Sequence, residues 1–237
     1  MVQKFAPNNH YLQQISGNLW HGQANWQMMA NPSSPVIGTV NWQWQPWQLV
    51  TGKLGFRTDL RSGKTNLIGT TKVGKSTWQV NDFSGKISSD TLKQILNWQL
   101  PDAPINVKDV GIDHDVKGFN SAQGAFNWAG GQLGYPSGGR VYKITMPQMV
   151  GTLSLDKGGG TSSQATAQNQ TANNGQRLHL AMTTPQGQRL GDIYIDNDNM
   201  VDVALTQRLL KNMPDYHGQG AEDSVVVSLR QPLASMR

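Results

Sequence analysis

The sequence predicts an all-β protein of mainly antiparallel strands, and three observations carry this prediction. Apolar and polar residues alternate over many short segments, as in strands with one dry and one wet face. The 237 residues include 26 Gly and 11 Pro, which separate strands with turns. Glu222 is the only glutamate, so the Glu-rich exposed surface that is typical of helical proteins is missing.

Alternation locates most of the strands. Between Trp20 and Met28 the even positions are apolar or small and the odd positions are polar. The pattern resumes from Val36 and includes Trp42 and Trp44, which are separated by Gln. Further strands are predicted at residues 54–60, 77–80, 126–128, 140–146, 152–155, 178–182, 193–195 and 225–229.

Two segments have a helical pattern and one has no pattern. Residues 89–96 begin with a capping Ser-Asp pair and place apolar residues at 92, 95 and 96, which predicts a short helix. Residues 203–210 follow Asp202 and stop before Pro214, which predicts a second helix. Residues 157–176 consist almost entirely of Gly, Ser, Thr, Gln, Ala and Asn, and we predict a mobile loop there.

An internal similarity indicates two related halves. Residues 38–42, Gly-Thr-Val-Asn-Trp, resemble residues 124–128, Gly-Ala-Phe-Asn-Trp, and each is followed by Gly-x-Leu. Chance similarity is the alternative, because the matching segments are short. We predict an extended lead at residues 1–14 and one β-domain at 15–237, with possible halves 15–100 and 118–213. The expected architecture is a strongly curved sheet or open β-barrel, built from two β-meander/helix halves with two short helices.

A phosphate-binding P-loop pattern, G-x-x-x-x-G-K-S, is present at Gly69, Gly74, Lys75 and Ser76. The chemistry of that motif needs a buried strand before the loop and a helix beginning within it. Here the preceding residues 65–68 offer only two apolar side chains, and residues 77–85 alternate like a strand. We therefore interpret the match as a β-turn and predict no cofactor-binding residues. Nucleotide hydrolysis remains the hypothesis of lowest rank.

The residues needed for catalysis or metal binding are scarce. The chain has no cysteine, which excludes thiolate chemistry. Asp113-His114-Asp115 places a base between two carboxylates, but neighbours along a strand point to opposite faces. The acidic run 196–199 lacks the residues that an EF-hand needs at 200, 201 and 207. We predict no catalytic residues, no metal site, no cofactor and no enzyme activity.

The charge distribution argues against a nucleic-acid partner. The formal net charge is +5, yet the basic residues are scattered rather than clustered along one strip. Residues 40–50, which contain three tryptophans, include neither Lys nor Arg, whereas aromatic stacking on single-stranded nucleic acid needs interleaved Arg or Lys. No stretch of about 18 apolar residues is present, so no membrane-spanning segment is predicted.

Five tryptophans and the last predicted strand are the candidate contact residues. Trp20, Trp26, Trp42, Trp44 and Trp47 are close in sequence, and two interpretations remain open: a packed core, or an apolar groove for a lipid chain or partner strand. The C-terminal strand, with Val225, Val227 and Leu229, is a candidate edge for strand addition.

Residues 16–24, Ser-Gly-Asn-Leu-Trp-His-Gly-Gln-Ala, and residues 38–46, Gly-Thr-Val-Asn-Trp-Gln-Trp-Gln-Pro, resemble the opening of the type II secretion system protein N (general secretion pathway protein N) family. The later Gly-Ala-Phe-Asn-Trp at 124–128 and Pro-Gln-Met at 147–149 are also similar to it. Related openings occur in envelope proteins of the AsmA type.

The resemblance implies a single-pass inner-membrane protein of the Gram-negative envelope with a periplasmic β-domain. It further implies a non-catalytic accessory role in the export of folded proteins across the outer membrane. The expected partners are other secretion components, on the inner-membrane platform or the outer-membrane secretin side. The N-terminal membrane helix is missing from this chain, and we expect it to have been removed. The alternative function is a periplasmic protein that binds lipid or another hydrophobic ligand.

Overall fold

The structure, a computed structural model, describes residues 11–31, 34–96, 99–137, 140–156, 176–213 and 216–232. The described residues form fifteen β-strands. These are β1 Leu12–Gly17, β2 His21–Asn31, β3 Ser34–Gln45, β4 Leu54–Ser62, β5 Thr65–Val73, β6 Trp78–Ile87, β7 Ile105–Asp115, β8 Gly118–Trp128, β9 Gly131–Ser137, β10 Arg140–Met146, β11 Met149–Asp156, β12 Arg177–Thr183, β13 Arg189–Ile195, β14 Met200–Thr206 and β15 Val225–Pro232.

Thirteen strands form one antiparallel sheet in the order of the chain. β9 and β10 leave it as a separate hairpin, so β8 pairs directly with β11. Among the described strands, β1 and β15 are the two edges and do not pair with each other. The all-β prediction is therefore confirmed, with an open rather than a closed sheet.

Helices are few among the described residues. Helix α1 spans Ser89–Leu96, as predicted, helix α2 is the single turn Gln207–Leu210, and a 3-10 helix spans Pro46–Thr51. The prediction of a helix at 203–210 is wrong for residues 203–206, which belong to β14. There the β-branched Val201 and Val203 alternate with Asp202 and Ala204, and pairing with β13 and β15 decides the conformation.

The sheet has one apolar and one polar face. The register of the strands places apolar residues opposite apolar residues, and polar residues opposite polar residues, on adjacent strands. One row of the apolar face contains Trp44, Phe56, Thr71, Val80 and Ile112. The adjacent row of the polar face contains Gln43, Arg57, Thr70 and Asn81. In the second half the apolar face continues through Leu155, Leu178, Ile195 and Val201.

The sheet is bent, with the apolar face on its concave side. α1 follows β6 along the chain but contacts β2 and β3, so the intervening strands must curve beneath it. The hydroxyl groups of Thr91 in α1 and Thr65 in β5 are hydrogen-bonded at 2.8 Å. Thr65 lies opposite Ser62 of β4, and both side chains are on the apolar face. The helix therefore lies over the apolar face. Register shifts between β5 and β6, β6 and β7, and β7 and β8 add twist to the same region.

The two ends of the strands differ. At one end, which we call the closed end, lie α1, α2 and the β9–β10 hairpin. Elements at the closed end supply most of the buried residues: Val36, Ser62, Thr65, Ser88, Ser89, Thr91, Leu133, Ile144, Leu190, Thr206, Gln207, Leu209 and Leu210. The opposite end, which we call the open end, has turns and the 3-10 helix. The core therefore lies at one end of the sheet.

Several predicted segments have different bounds in the structure. β5, β7, β9 and β14 are strands that alternation did not predict, and β1 begins at Leu12, inside the predicted lead. The predicted mobile loop at 157–176 lies outside the described residues, apart from Gln176. The two-halves hypothesis stays a prediction.

Candidate functional site

The candidate site is the concave apolar face of the thirteen-stranded sheet, which we call the apolar trough. Its side chains are mostly half-buried, because the described α-helices contact the sheet only at the closed end. Apolar side chains of this face such as Leu54, Val73 and Trp78 are more than one-third exposed. Part of the apolar face therefore remains in contact with solvent.

Aromatic rings lie over glycines on the trough floor. A side chain at Gly38 would meet the ring of Trp26 at 2.6 Å, and one at Gly22 would overlap the ring of Trp42. The pairing strand supplies each ring, since Trp26 lies opposite Gly38 and Trp42 opposite Gly22. The absence of a Cβ lets each ring approach the neighbouring backbone, as in the pairing of aromatics with strand glycines.

Trp20 and Trp44 extend this floor toward the open end. Their ring centroids lie 4.2 Å apart with an interplanar angle of 57°. The indole N–H of Trp42 donates a hydrogen bond to the carbonyl oxygen of Asn18 at 3.2 Å. Four of the five predicted tryptophans are therefore brought together on or beside the trough.

Two indole N–H groups have no acceptor among the described residues. They belong to Trp26 and Trp44, and both nitrogen atoms are buried. A buried donor without a partner costs about 1–3 kcal/mol. Phenylalanine would fill much of the same space without an unpaired N–H group. Stability alone would therefore favour phenylalanine over tryptophan at these two positions. Locally unfavourable residues of this kind are concentrated at functional sites.

Trp47 lies apart from the other tryptophans. It is part of the 3-10 helix at the open end, and 64% of its surface is exposed. Leu49 and Val50 of the same helix are also exposed. Nothing in the sequence indicates that Trp47 differs from the other tryptophans, since it lies close to them in the chain. The strand ends before Pro46, and the 3-10 helix that follows turns the side chain of Trp47 in another direction.

The P-loop residues lie in two different elements. Gly69 is in the middle of β5, and a side chain there would overlap the ring of Phe83. Gly74, Lys75 and Ser76 form the turn that leads directly into β6. Residues 69–73, which would wrap around a phosphate in a P-loop, are therefore extended strand. The element after the turn is a strand, whereas a P-loop is followed by a helix.

The two sheet edges differ in regularity. β1 has a register shift between Gln13 and Ser16 and a positive φ of 47° at Gln14. β15 pairs regularly with β14 from Val227 to Pro232 and shifts register only near Val225. The bulged β1 is thus a poor template for a further strand, whereas β15 offers a regular edge.

A polar cluster covers the convex face of β12 and β13. The Asp192 carboxylate is hydrogen-bonded to His179 Nε2 at 2.7 Å and accepts from Arg189 Nε at 2.7 Å. Burial opposes ionisation of Asp192, but these hydrogen bonds and charges outweigh it, so its pKa is lowered. The rings of His179 and Tyr194 stack at 4.4 Å, with Arg177 on Tyr194 at 4.0 Å. These groups pair with one another, which is the arrangement of a structural network.

The acidic motifs considered for metal binding are separated or paired. Among the described residues, no three His, Asp or Glu side chains are grouped to hold a metal ion. His114 stacks on Trp78 on the concave face, whereas Asp113 accepts a hydrogen bond from Gln79. Asp196 forms an ion pair with Arg230 at 2.8 Å.

One comparison with known proteins identifies the family. The family model described as "Type II secretion system (T2SS), protein N" matches residues 8–191. Comparison with the curated proteins and with the solved structures gives no match. None of the described helices has the length and hydrophobicity needed to cross a membrane. Because the family model covers well over half of the 237 residues, the chain belongs to the type II secretion system protein N family and is a component of that system.

Proposed function

We propose that this protein is a non-catalytic accessory component that supports export of folded proteins across the outer membrane. The family match over residues 8–191 is the observation that carries the proposal. In this proposal the β-domain lies in the periplasm behind an inner-membrane anchor. It binds other components of the secretion system, on the inner-membrane platform or the secretin side.

Strand addition at β15 is the proposed mode of partner contact. β15 is eight residues long, and Val226, Val227 and Leu229 are exposed. Val227 and Leu229 lie opposite Leu205 and Val203, so their side chains continue the apolar trough to its last strand. A partner strand would gain backbone hydrogen bonds and would bury these side chains at the same time.

Export by a deletion strain tests this proposal. We expect that the deletion lowers export of the system's substrates and that the wild-type gene restores it. Leu229→Lys should restore export at least about tenfold less well, because an inward-pointing charge on an edge strand prevents strand addition. The matched control is Ser228→Lys, which places the same charge one residue away on the polar face and should restore export fully.

Each outcome of the export experiment has a defined meaning. Normal export in the deletion strain would contradict the accessory function itself. Equal export by Leu229→Lys and Ser228→Lys, at matched protein levels in the cell, would contradict strand addition at β15. Crosslinking from position 227, on the same face of β15, to a secretion component, lost when Leu229→Lys is added, would identify the partner.

Lipid binding in the apolar trough is the second candidate function. The partly uncovered concave face favours it, since Leu54, Val73 and Trp78 are exposed at its open end, and exposed apolar patches mark binding sites. Native mass spectrometry after gentle extraction from membranes is expected to detect bound lipid. Val80→Glu, on the trough floor, should lose the lipid, whereas Thr70→Glu, on the polar face opposite Arg57, should retain it. Reproducibly empty wild-type protein would contradict this candidate.

A further inference from the structure

Three strongly exposed apolar residues lie next to one another at the open end. Val50, Trp47 and Leu49, all on the 3-10 helix, expose 91%, 64% and 50% of their surface. We call this 3-10 helix, together with Lys53 and the β5–β6 turn that contains Lys75, the tip. Three large apolar side chains in one turn form a patch that soluble surfaces rarely present.

The fold holds these side chains outward. The side chain of Gln48 packs on Gly55, where any added Cβ would overlap it, and thereby fixes the 3-10 helix against β4. Gly52 ends the helix with a φ of 69° and donates its N–H to the carbonyl oxygen of Leu49 at 2.9 Å. The patch is therefore part of an ordered turn that cannot fold back onto the sheet without breaking these contacts.

The region around the tip is strongly basic. Residues 1–81 contain seven Lys and Arg but a single acid, Asp59, whereas residues 82–237 contain 13 basic and 14 acidic residues. Asp59 is paired with Arg61. Within the described ranges, no carboxylate forms an ion pair with Lys53, Lys72 or Lys75. Lys53 lies beside the β5–β6 turn, since a Cβ at Gly74 would contact its side chain at 3.7 Å.

We propose that the tip docks the protein onto a membrane surface that contains anionic phospholipids. Apolar side chains and a tryptophan beside lysines are the combination that binds at the boundary between headgroups and acyl chains. In this arrangement Trp47, Leu49 and Val50 enter the interface, and the ammonium groups of Lys53 and Lys75 contact lipid phosphates. Each lysine near an anionic surface strengthens binding by about fivefold.

Charge favours a membrane over a second copy of the chain. Two copies meeting through the tip would bring Lys53, Lys72 and Lys75 of each close together, and no carboxylate of the described residues forms an ion pair with these lysines to offset the repulsion. An anionic surface is attracted by the same lysines. Docking also places Leu54, Val73 and Trp78, the exposed open-end residues of the trough, at the bilayer.

Vesicle binding by the purified chain tests the proposal. The sequence has no cysteine, so Val50→Cys accepts a single environment-sensitive fluorophore. We expect its emission to shift to shorter wavelength with vesicles of phosphatidylcholine and phosphatidylglycerol, and much less with phosphatidylcholine alone. A probe at Ile37→Cys should not respond, because Ile37 is 64% exposed but lies on the polar face near the closed end.

Two variants separate the apolar and the electrostatic contributions in a co-sedimentation assay. Val50→Asp should lower binding to anionic vesicles at least about tenfold, because a charge cannot enter the apolar interface. Lys53→Gln with Lys75→Gln should lower it by about 25-fold, from about fivefold per lysine, with little change on neutral vesicles. The matched controls are Ile37→Asp and Lys86→Gln, an exposed lysine nearer the closed end, and both should bind like the wild type.

Three results would overturn the proposal. One is the absence of binding to anionic vesicles by the wild-type chain. Another is equal loss in Val50→Asp and Ile37→Asp. The third is tip-dependent self-association in sedimentation without vesicle binding, which would assign the tip to contacts between copies of the chain. Circular dichroism of each variant confirms that the sheet is intact.

Discussion

Replacing Gly85 by alanine is expected to lower the free energy of unfolding by about 3 kcal/mol. Gly85 lies in β6 with a φ of 147°, a conformation that residues with a side chain rarely adopt. A Cβ at this position would also overlap the carbonyl oxygen of Asn66 on β5. Because the obstacle is backbone within a paired strand, the local register of β5 and β6 would have to change.

Gly111→Ala is the matched control for this substitution. Gly111 lies in β7, and a Cβ there would meet its nearest neighbours at an ordinary 3.4 Å or more. We expect its free energy of unfolding to stay within about 0.5 kcal/mol of the wild type. Urea unfolding followed by circular dichroism measures both variants. Equal midpoints for Gly85→Ala and the wild type would contradict the close approach of β5 and β6.

Introducing a charge at Val107, a buried position of the trough floor, is expected to lower the free energy of unfolding by at least as much. Val107 in β7 is only 7% exposed and lies between Gly85 and Phe126 on the concave face. Val107→Asp would place a carboxylate where the adjoining strands offer no cationic partner at the same level of the sheet. A buried, unpaired charge of this kind costs about 4 kcal/mol.

Lys108→Asp provides the comparison one residue away. Lys108 is exposed on the polar face of the same strand, so its replacement is expected to change the free energy of unfolding by about 0.5 kcal/mol or less. Thermal and urea unfolding measure the loss of stability in each variant. The comparison shows which face of β7 is packed away from water. A similar loss of stability in the two variants would show that the concave face is not the packed one.

Local patterns in the sequence predicted the elements whose signals are local. α1 has a capping start and helical spacing within eight residues, and its bounds agree with the structure. The predicted helix at 203–210 was wrong over residues 203–206. The apolar residues there fit both the helical and the strand period, and pairing with two neighbouring strands selected the extended form. β7 was missed because register shifts near Gly111 and His114 interrupt the period of two.

The candidate site was predictable only in part for a similar reason. Alternation correctly placed Trp26, Trp42 and Trp44 on one face of adjacent strands. The concave shape and the closed end depend on how α1 returns to β2 and β3, which no local pattern specifies. The exposure of Trp47 depends on the 3-10 helix and its contact with Gly55, which alternation cannot show.

The meander order of the sheet has a consequence for how such proteins vary in size. Each strand pairs with its neighbours in the chain, and β8 with β11 is the single exception among the described strands. Inserting or deleting one hairpin would therefore leave every other pairing in place. Because adjacent strands are about 4.8 Å apart, each hairpin changes the width of the sheet by about 10 Å. A chain with one hairpin more or fewer would thus span a different distance with the same topology.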